Sequence, residues 1–296
     1  MNVGAANLGW ATGPDAGSSP GRELDLGRYL RRIGYAGDLS PGPALLGALA
    51  AHHTAAIPFE NLDPLLRVPV RLDLAWLQAK MIDAGRGGYC FEHNLLLAHV
   101  LAALGFRVRG LAARVLWEAP ETSRPPRSHM LLLVDLGDRY VVDVGFGGLT
   151  LTGALRLEPD VEQATPHEPF RLLRVEDDFV MQAKVAGSWR PLYRFDLQPQ
   201  ILADYEVTNW YLSNHPASRF LDGLIAARAA PGVRYALWNA TLAIHSTDGA
   251  TERRSLPSVA ALREVLGREL RIALPAVREL DPLLERLMHQ APVSRA

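Results

Sequence analysis

The stretch Arg86–Val115, RGGYCFEHNLLLAHVLAALGFRVRGLAARV, holds the point at which the chain changes its repeat. Gly87 and Gly88 allow a tight turn, and Cys90 then opens an apolar run that reads as a buried helix stopping at Gly105. From Phe106 the period changes. FRVRGLAARVLW (106–117), SHMLLLVDL (128–136), RYVVDVGF (139–146), FRLLRV (170–175), FVMQAKVA (179–186) and WRPLYRFDL (189–197) are short and rich in Val, Leu and aromatics, with Gly, Pro and Asp between them. That pattern is an antiparallel sheet or barrel. Upstream of the turn, LDLGRYLRRIGY (24–35), PALLGALAAHHTAA (43–56) and LDLAWLQAKMIDAG (72–85) repeat their apolar residues at three- and four-residue steps, as helices do. Downstream of the strands the types mix. VRYALWNATLAIHS (233–246) reads as strand, while SLPSVAALREVLG (255–267) and AVRELDPLLERLMHQ (276–290) read as helices. Helices, then strands, then a mixed segment make an α+β chain. Strands and helices do not alternate, which argues against a doubly wound nucleotide fold. The glycine-rich patches at 85–88 and 145–148 lack the spacing of the phosphate-binding loops.

The 296 residues suggest about two domains. An apolar share of 48% with 21% charged residues belongs to a globular chain and excludes a disordered or fibrous one. A net charge of −1 lacks the basic signature of a nucleic-acid or anionic-membrane binder, and no apolar run reaches the ~20 residues of a membrane span. Residues 1–22 have neither a cationic start nor an apolar core, so they read as a loose tail and not as a signal peptide. With one cysteine the chain forms no internal disulfide and no thiolate cluster for zinc or iron–sulfur, and a lone thiol fits a reducing cytoplasm. No metal site is expected.

Cys90 nonetheless stands where chemistry is favoured. A thiol in the first turn of a helix meets the positive end of the dipole and unpaired N–H groups. The competing reading is a small, inert core residue. A nucleophile needs a base and a group that orients the base. Of the nine histidines, His52, His53, His93 and His99 fall on helices and read as surface or satisfied core residues. His129 begins a strand. Counting back from a tight turn at 136–138 pairs Asp143 with residue 131 and makes His129 its diagonal neighbour on the same face. A one-residue slip would separate them. Asp143 sits among Val141, Val142, Val144 and Phe146, where an acid is costly to bury without a partner.

At these residues the chain resembles the arylamine N-acetyltransferases. IPFENLDP (57–64), RGGYCFEHN (86–94), SHMLLLV (128–134) and YVVDVGFGG (140–148) match that family's motifs in order, and PLYRFDLQP…DYEVTNWYLSNHPASRF (191–220) fits more loosely. The resemblance implies a helical bundle carrying the cysteine (23–106), a central antiparallel β-barrel carrying the histidine and aspartate (107–208) and an α/β lid (209–296), around a cysteine-protease-like core. It implies that Cys90 accepts the acyl group, that His129 is its base and that Asp143 orients His129. Phe59 and Phe146 resemble pocket-lining positions, Gly147 resembles a position where the backbone passes close to the acyl donor, and Phe220 resembles a lid-side aromatic near the coenzyme A arm. Glu60 and Arg86, charged members of two motifs, are expected to pair structurally. The implied reaction moves acetyl from acetyl-CoA through an acetyl-cysteine to an arylamine, hydrazine or arylhydroxylamine, with a cytoplasmic role in xenobiotic metabolism. Its partners are then coenzyme A and a small-molecule acceptor, without nucleic acid or membrane; a homo-oligomer is compatible. Three rivals share the residues: an amide synthase that releases a carrier-bound polyketide as a macrolactam, a Cys–His–Asp hydrolase, and a binding module in which Cys90 is inert.

Overall fold

The computed structural model describes residues 23–120 and 123–290, so the tail expected over 1–22 lies outside the described residues. Helices α1 (Leu26–Ile33), α2 (Pro43–Ala56), α3 (Leu62–Leu65), α4 (Leu74–Leu77) and α5 (Cys90–Ala103) form the first part, with a two-residue strand β1 (Phe59–Glu60) among them. Helix α4 runs on as a π-helical turn, Gln78–Asp83. Asp25 and Asp73 cap α1 and α4 with their side chains, and Gly34 ends α1 in the left-handed conformation. Tyr29, Leu46, Leu49, Phe91 and Leu96 fill the core between these helices and the adjoining sheet.

The change of period at Phe106 is real. Strands β2 (Arg107–Val115), β3 (Arg127–Leu136), β4 (Asp138–Val142), β5 (Leu155–Arg156), β6 (Phe170–Val175), β7 (Asp178–Val185) and β8 (Ser188–Phe195) make one antiparallel sheet in the order β5-β4-β3-β2-β8-β7-β6. Bridges from Pro159 and Gln163 back to β6 bring its two edges together, so the sheet is a nearly closed barrel. Phe170, Leu172, Met181 and Phe195 fill its interior. The β3–β4 hairpin has the register counted from its turn: Leu132 faces Val142, Val134 faces Tyr140 and Leu136 faces Asp138.

Helix α6 (Leu202–Asn214) follows, and the boundary expected at 208/209 falls inside it. Strands β9 (Ile225–Ala230), β10 (Val233–Trp238), β11 (Thr241–Ser246) and β12 (Thr251–Ser255) then form a second sheet backed by α7 (Val259–Arg268) and α8 (Leu280–Met288). The run 233–246, read from sequence as strand, is two strands joined by a tight turn in which Asn239 takes a φ of +48°. Strand β1 pairs with β9, so the last sheet takes its edge strand from the first part of the chain. No described helix is long and apolar enough to cross a membrane.

Candidate active site

Cys90 is the first residue of α5, preceded by the turn Arg86–Tyr89. This turn passes under the Pro58 carbonyl so closely that a Cβ on Gly87 would lie 1.9 Å from its oxygen, so glycine is required there. Five buried charges hold the turn in place. Arg86 binds Glu60 at 2.7 Å and Asp63 at 2.8 Å, which is the pairing expected for Arg86 and Glu60. Lys80, turned inward by the π-helical segment, binds Asp63 and Glu92 at 2.7 Å each. The other oxygen of Glu92 accepts the Tyr89 N–H at 3.0 Å, capping the helix that presents the thiol.

His129 and Asp143 meet on one side of the β3–β4 hairpin. His129 Nε2 donates to Asp143 Oδ2 at 2.7 Å, and both residues are buried. The carboxylate is held on its other side by Asn94 Nδ2 at 3.0 Å and the Gly145 N–H at 2.9 Å. With Nε2 committed to Asp143, the Nδ1 nitrogen is left for Cys90, whose side chain interacts with the ring. The Cys90 sulfur also lies 3.8 Å from the Ser128 carbonyl oxygen. Burial disfavours a charged ring, but the Asp143 charge, its hydrogen bond and the Cys90 contact override that and push the His129 pKa up to about 10. Burial likewise opposes ionisation of Asp143, yet His129, Asn94 and the Gly145 N–H hold its carboxyl below the usual range. The resting pair is imidazolium and carboxylate.

The four aromatic and glycine positions taken from the resemblance fall close by. Phe146 packs edge-on to His129, with ring centroids 5.2 Å apart. Phe59 stacks parallel on His93 at 6.3 Å and lies 6.2 Å from Phe220. Gly147, at a φ of +91°, passes against the Phe59 ring, and both border a small void of about 10 Å³. A larger cleft of about 220 Å³ reaches His129 from another side, lined by Phe91, Ala112, Arg127, Gln200, Tyr205 and the outer face of α6. None of the four positions lines it.

Sequence reasoning missed three residues. Asn94 stands one helical turn beyond Cys90, so the i, i+4 spacing within CFEHN was a usable signal. Besides Asp143 it binds the Met130 carbonyl at 2.8 Å and accepts the Val144 N–H at 3.1 Å. Gly145 packs directly on the Cys90 backbone. Tyr193 lies 4.9 Å from the His129 ring and is brought there by β8, a placement with no local sequence signal.

Beneath the site runs a buried chain of three side chains: Tyr29 Oη to His53 Nδ1 (3.0 Å), His53 Nε2 to His93 Nδ1 (2.9 Å), and His93 Nε2 to the Pro58 carbonyl (3.1 Å). The carbonyl only accepts, which fixes every tautomer: His93 donates to it, His53 donates to His93, and Tyr29 donates to His53. His53 and His93 are therefore satisfied core histidines, neutral in the fold. Among the described residues no group of three or more His, Cys, Asp or Glu is arranged to hold a metal ion.

The family model described as N-acetyltransferase matches residues 44–278. The arylamine N-acetyltransferase of Mycolicibacterium smegmatis is 46% identical over 248 residues, which cover 82% of this chain and 90% of the relative. The solved structure of the Mycobacterium marinum arylamine N-acetyltransferase superposes with a TM-score of 0.86 at 43% identity, covering 89% of this chain and all of that one. A structure of the same enzyme in complex with CoA gives 0.84 at 43% identity, over 89% and 98% of the two chains.

Proposed function

The chain belongs to the arylamine N-acetyltransferase family and moves acetyl groups from acetyl-CoA to arylamines; from that premise we propose that Cys90, His129 and Asp143 carry the reaction. The observation that supports this assignment is the buried 2.7 Å His129–Asp143 pair, set on a hairpin beside a thiol at a helix N-terminus. In the first half-reaction the Cys90 thiolate attacks the thioester carbonyl of acetyl-CoA. The carbon–sulfur bond to coenzyme A breaks, and the leaving thiolate takes the proton from His129, so the ring emerges neutral. In the second half-reaction the amine attacks the acetyl-cysteine, and His129 removes the amine proton through the same nitrogen. Cys90 leaves as thiolate beside a renewed imidazolium, and the charges return to their starting state. Asp143 keeps the Nε2 proton in place throughout, so Nδ1 always faces the reacting atoms.

The 220 Å³ cleft is of a size for one aromatic ring or the acyl end of a thioester, so the nucleotide end of the donor stays outside it. Phe146 is assigned to orient His129 by contact. Gly147 and the half-buried Phe220 are assigned to the donor side and Phe59 to the pocket wall, as the resemblance implies. The same reading places the enzyme in the cytoplasm, acting on foreign arylamines, arylhydroxylamines and hydrazines. The relatives named above are acetyltransferases and lend no support to an amide synthase or a hydrolase.

The test is acetyl transfer with purified components. Acetyl-CoA with an aniline or a hydrazide should give the N-acetyl product, and Cys90→Ala should give none. Continuous release of free coenzyme A without any amine would instead indicate a hydrolase.

A further inference from the structure

The cleft leading to His129 carries an uncancelled negative charge at its outer end. Two charged side chains line it there, Arg127 and Asp204. The Arg127 guanidinium is committed to a salt bridge with Asp196, so that pair contributes no net charge. Asp204, on the first turn of α6, is exposed. Its Oδ2 accepts the Ile201 N–H at 2.9 Å, which fixes the side chain in place without neutralising it. At the inner end stands His129, and behind it, buried and outside the lining, its partner Asp143. Its balancing charge on His129 is given up when Cys90 is acetylated, in the reaction proposed above. An acceptor amine approaching the acetyl-enzyme therefore meets the Asp204 carboxylate at the outer end, with the His129 charge gone from the inner one.

We propose that Asp204 is a specificity-determining residue on the acceptor side, disfavouring amines that bear an anionic substituent opposite the reacting nitrogen and favouring neutral or cationic ones. A like charge lowers the local concentration of an approaching anion, and a cleft with low-dielectric walls concentrates the effect. One exposed charge of this kind changes relative acceptor rates on the scale of about fivefold, and salt weakens it. Like charge thereby rejects 4-aminobenzoate while leaving room for its neutral isostere, 4-aminobenzamide.

This inference rests on the acetyltransferase reading, and the experiment separates the two. kcat/KM is measured for 4-aminobenzamide and 4-aminobenzoate with acetyl-CoA as donor, in the wild type, Asp204→Asn and Glu206→Gln. Asn keeps an oxygen to accept the Ile201 N–H, so the helix start is preserved. Glu206 is exposed on the same helix and does not line the cleft. Comparing one acceptor ratio between variants cancels both the intrinsic reactivity of the two amines and any effect on the donor step. The benzoate-to-benzamide ratio should rise about fivefold in Asp204→Asn, mainly through the KM for benzoate, and the gain should shrink at high salt. Glu206→Gln should leave the ratio where it was. An unchanged ratio in Asp204→Asn, or an equal rise in Glu206→Gln, would overturn the assignment. Failure of the wild type to acetylate 4-aminobenzamide would overturn the functional reading beneath it.

Discussion

Gly145 is the residue on which the position of Cys90 turns. A Cβ there would lie 2.7 Å from Cys90 Cα and 2.9 Å from both the Cys90 carbonyl oxygen and Asn94 Nδ2. All three neighbours belong to α5 and to the network that holds Asp143, so nothing nearby yields cheaply. Gly145→Ala should displace the thiol from His129 by a fraction of an ångström to an ångström. A shift of that size costs on the order of 10²-fold in turnover. Gly148→Ala, three residues on, meets only the Ala236 methyl at 3.7 Å and should stay within a few-fold of wild type. Steady-state rates of the two variants, with thermal unfolding as a check on folding, decide this. Cys90, His129 and Asp143 were legible because each lies in a motif and the last two share a hairpin whose turn sets the register. Asn94 was legible in principle from its spacing to Cys90, but its role needs the 143–145 backbone folded back onto α5. Tyr193 was not legible, since only barrel closure brings β8 to His129.

At the scale of elements, the turn before α5 and the helix itself are fixed by buried charge. Lys80 Nζ bridges Asp63 and Glu92, and each of these side chains is at most 4% exposed. Removing the cation leaves Glu92 without a positive partner in the interior and Asp63 sharing Arg86 with Glu60. Lys80→Met should therefore lower stability by roughly 3–5 kcal/mol in denaturant unfolding. Arg28→Ala removes two pairs, with Asp25 and Asp83, whose side chains are all more than 40% exposed, and should cost far less, about 1 kcal/mol. Equal losses in the two variants would contradict the role given to the cluster. The long helices and the barrel strands could be read from sequence because each carries a sustained apolar face or, as in α5 and the middle of β3, a mainly apolar run buried on nearly all sides. Helix α6 could not: Val207, Trp210 and Tyr211 lie on its exposed side and blur the apolar stripe that marks a helix. Strand β12, TERRS, is exposed along its whole length and shows no alternation. Strand β9, IAARAA, is alanine-rich and nearly all buried, so it has no period of two.

Over the whole molecule, the acid response follows from the buried histidines. His53, His93 and His99 are all held neutral by burial, His93 and His99 pushed down to about 4 and His53 lowered as well. A histidine whose pKa is depressed in the fold contributes stability that is present above its unfolded value of 6.5 and is lost as pH falls towards its folded value. For His93 that window runs from about 6.5 to 4 and is worth roughly 3 kcal/mol. Glu92, pushed up to about 7 by burial against the pull of Lys80, works in the opposite sense, so the comparison needs a variant. Tm of His93→Gln should fall less steeply than that of the wild type between pH 6.5 and 4, and identical slopes would refute the account of His93 as a neutral core histidine. The three-part architecture was readable from the order of element types. The pairing of β1 with β9, which ties the first part to the last, was not, because two residues of strand carry no pattern. All of these features converge on one claim, that Cys90 is acylated in turnover. Intact mass of the protein after mixing with acetyl-CoA tests it most directly, since Cys90 is the only cysteine in the chain. The account predicts a gain of one acetyl group per chain, absent in Cys90→Ala and discharged on adding an arylamine. An unmodified mass while N-acetyl product still accumulates, or an acetyl group that persists in Cys90→Ala, would contradict it.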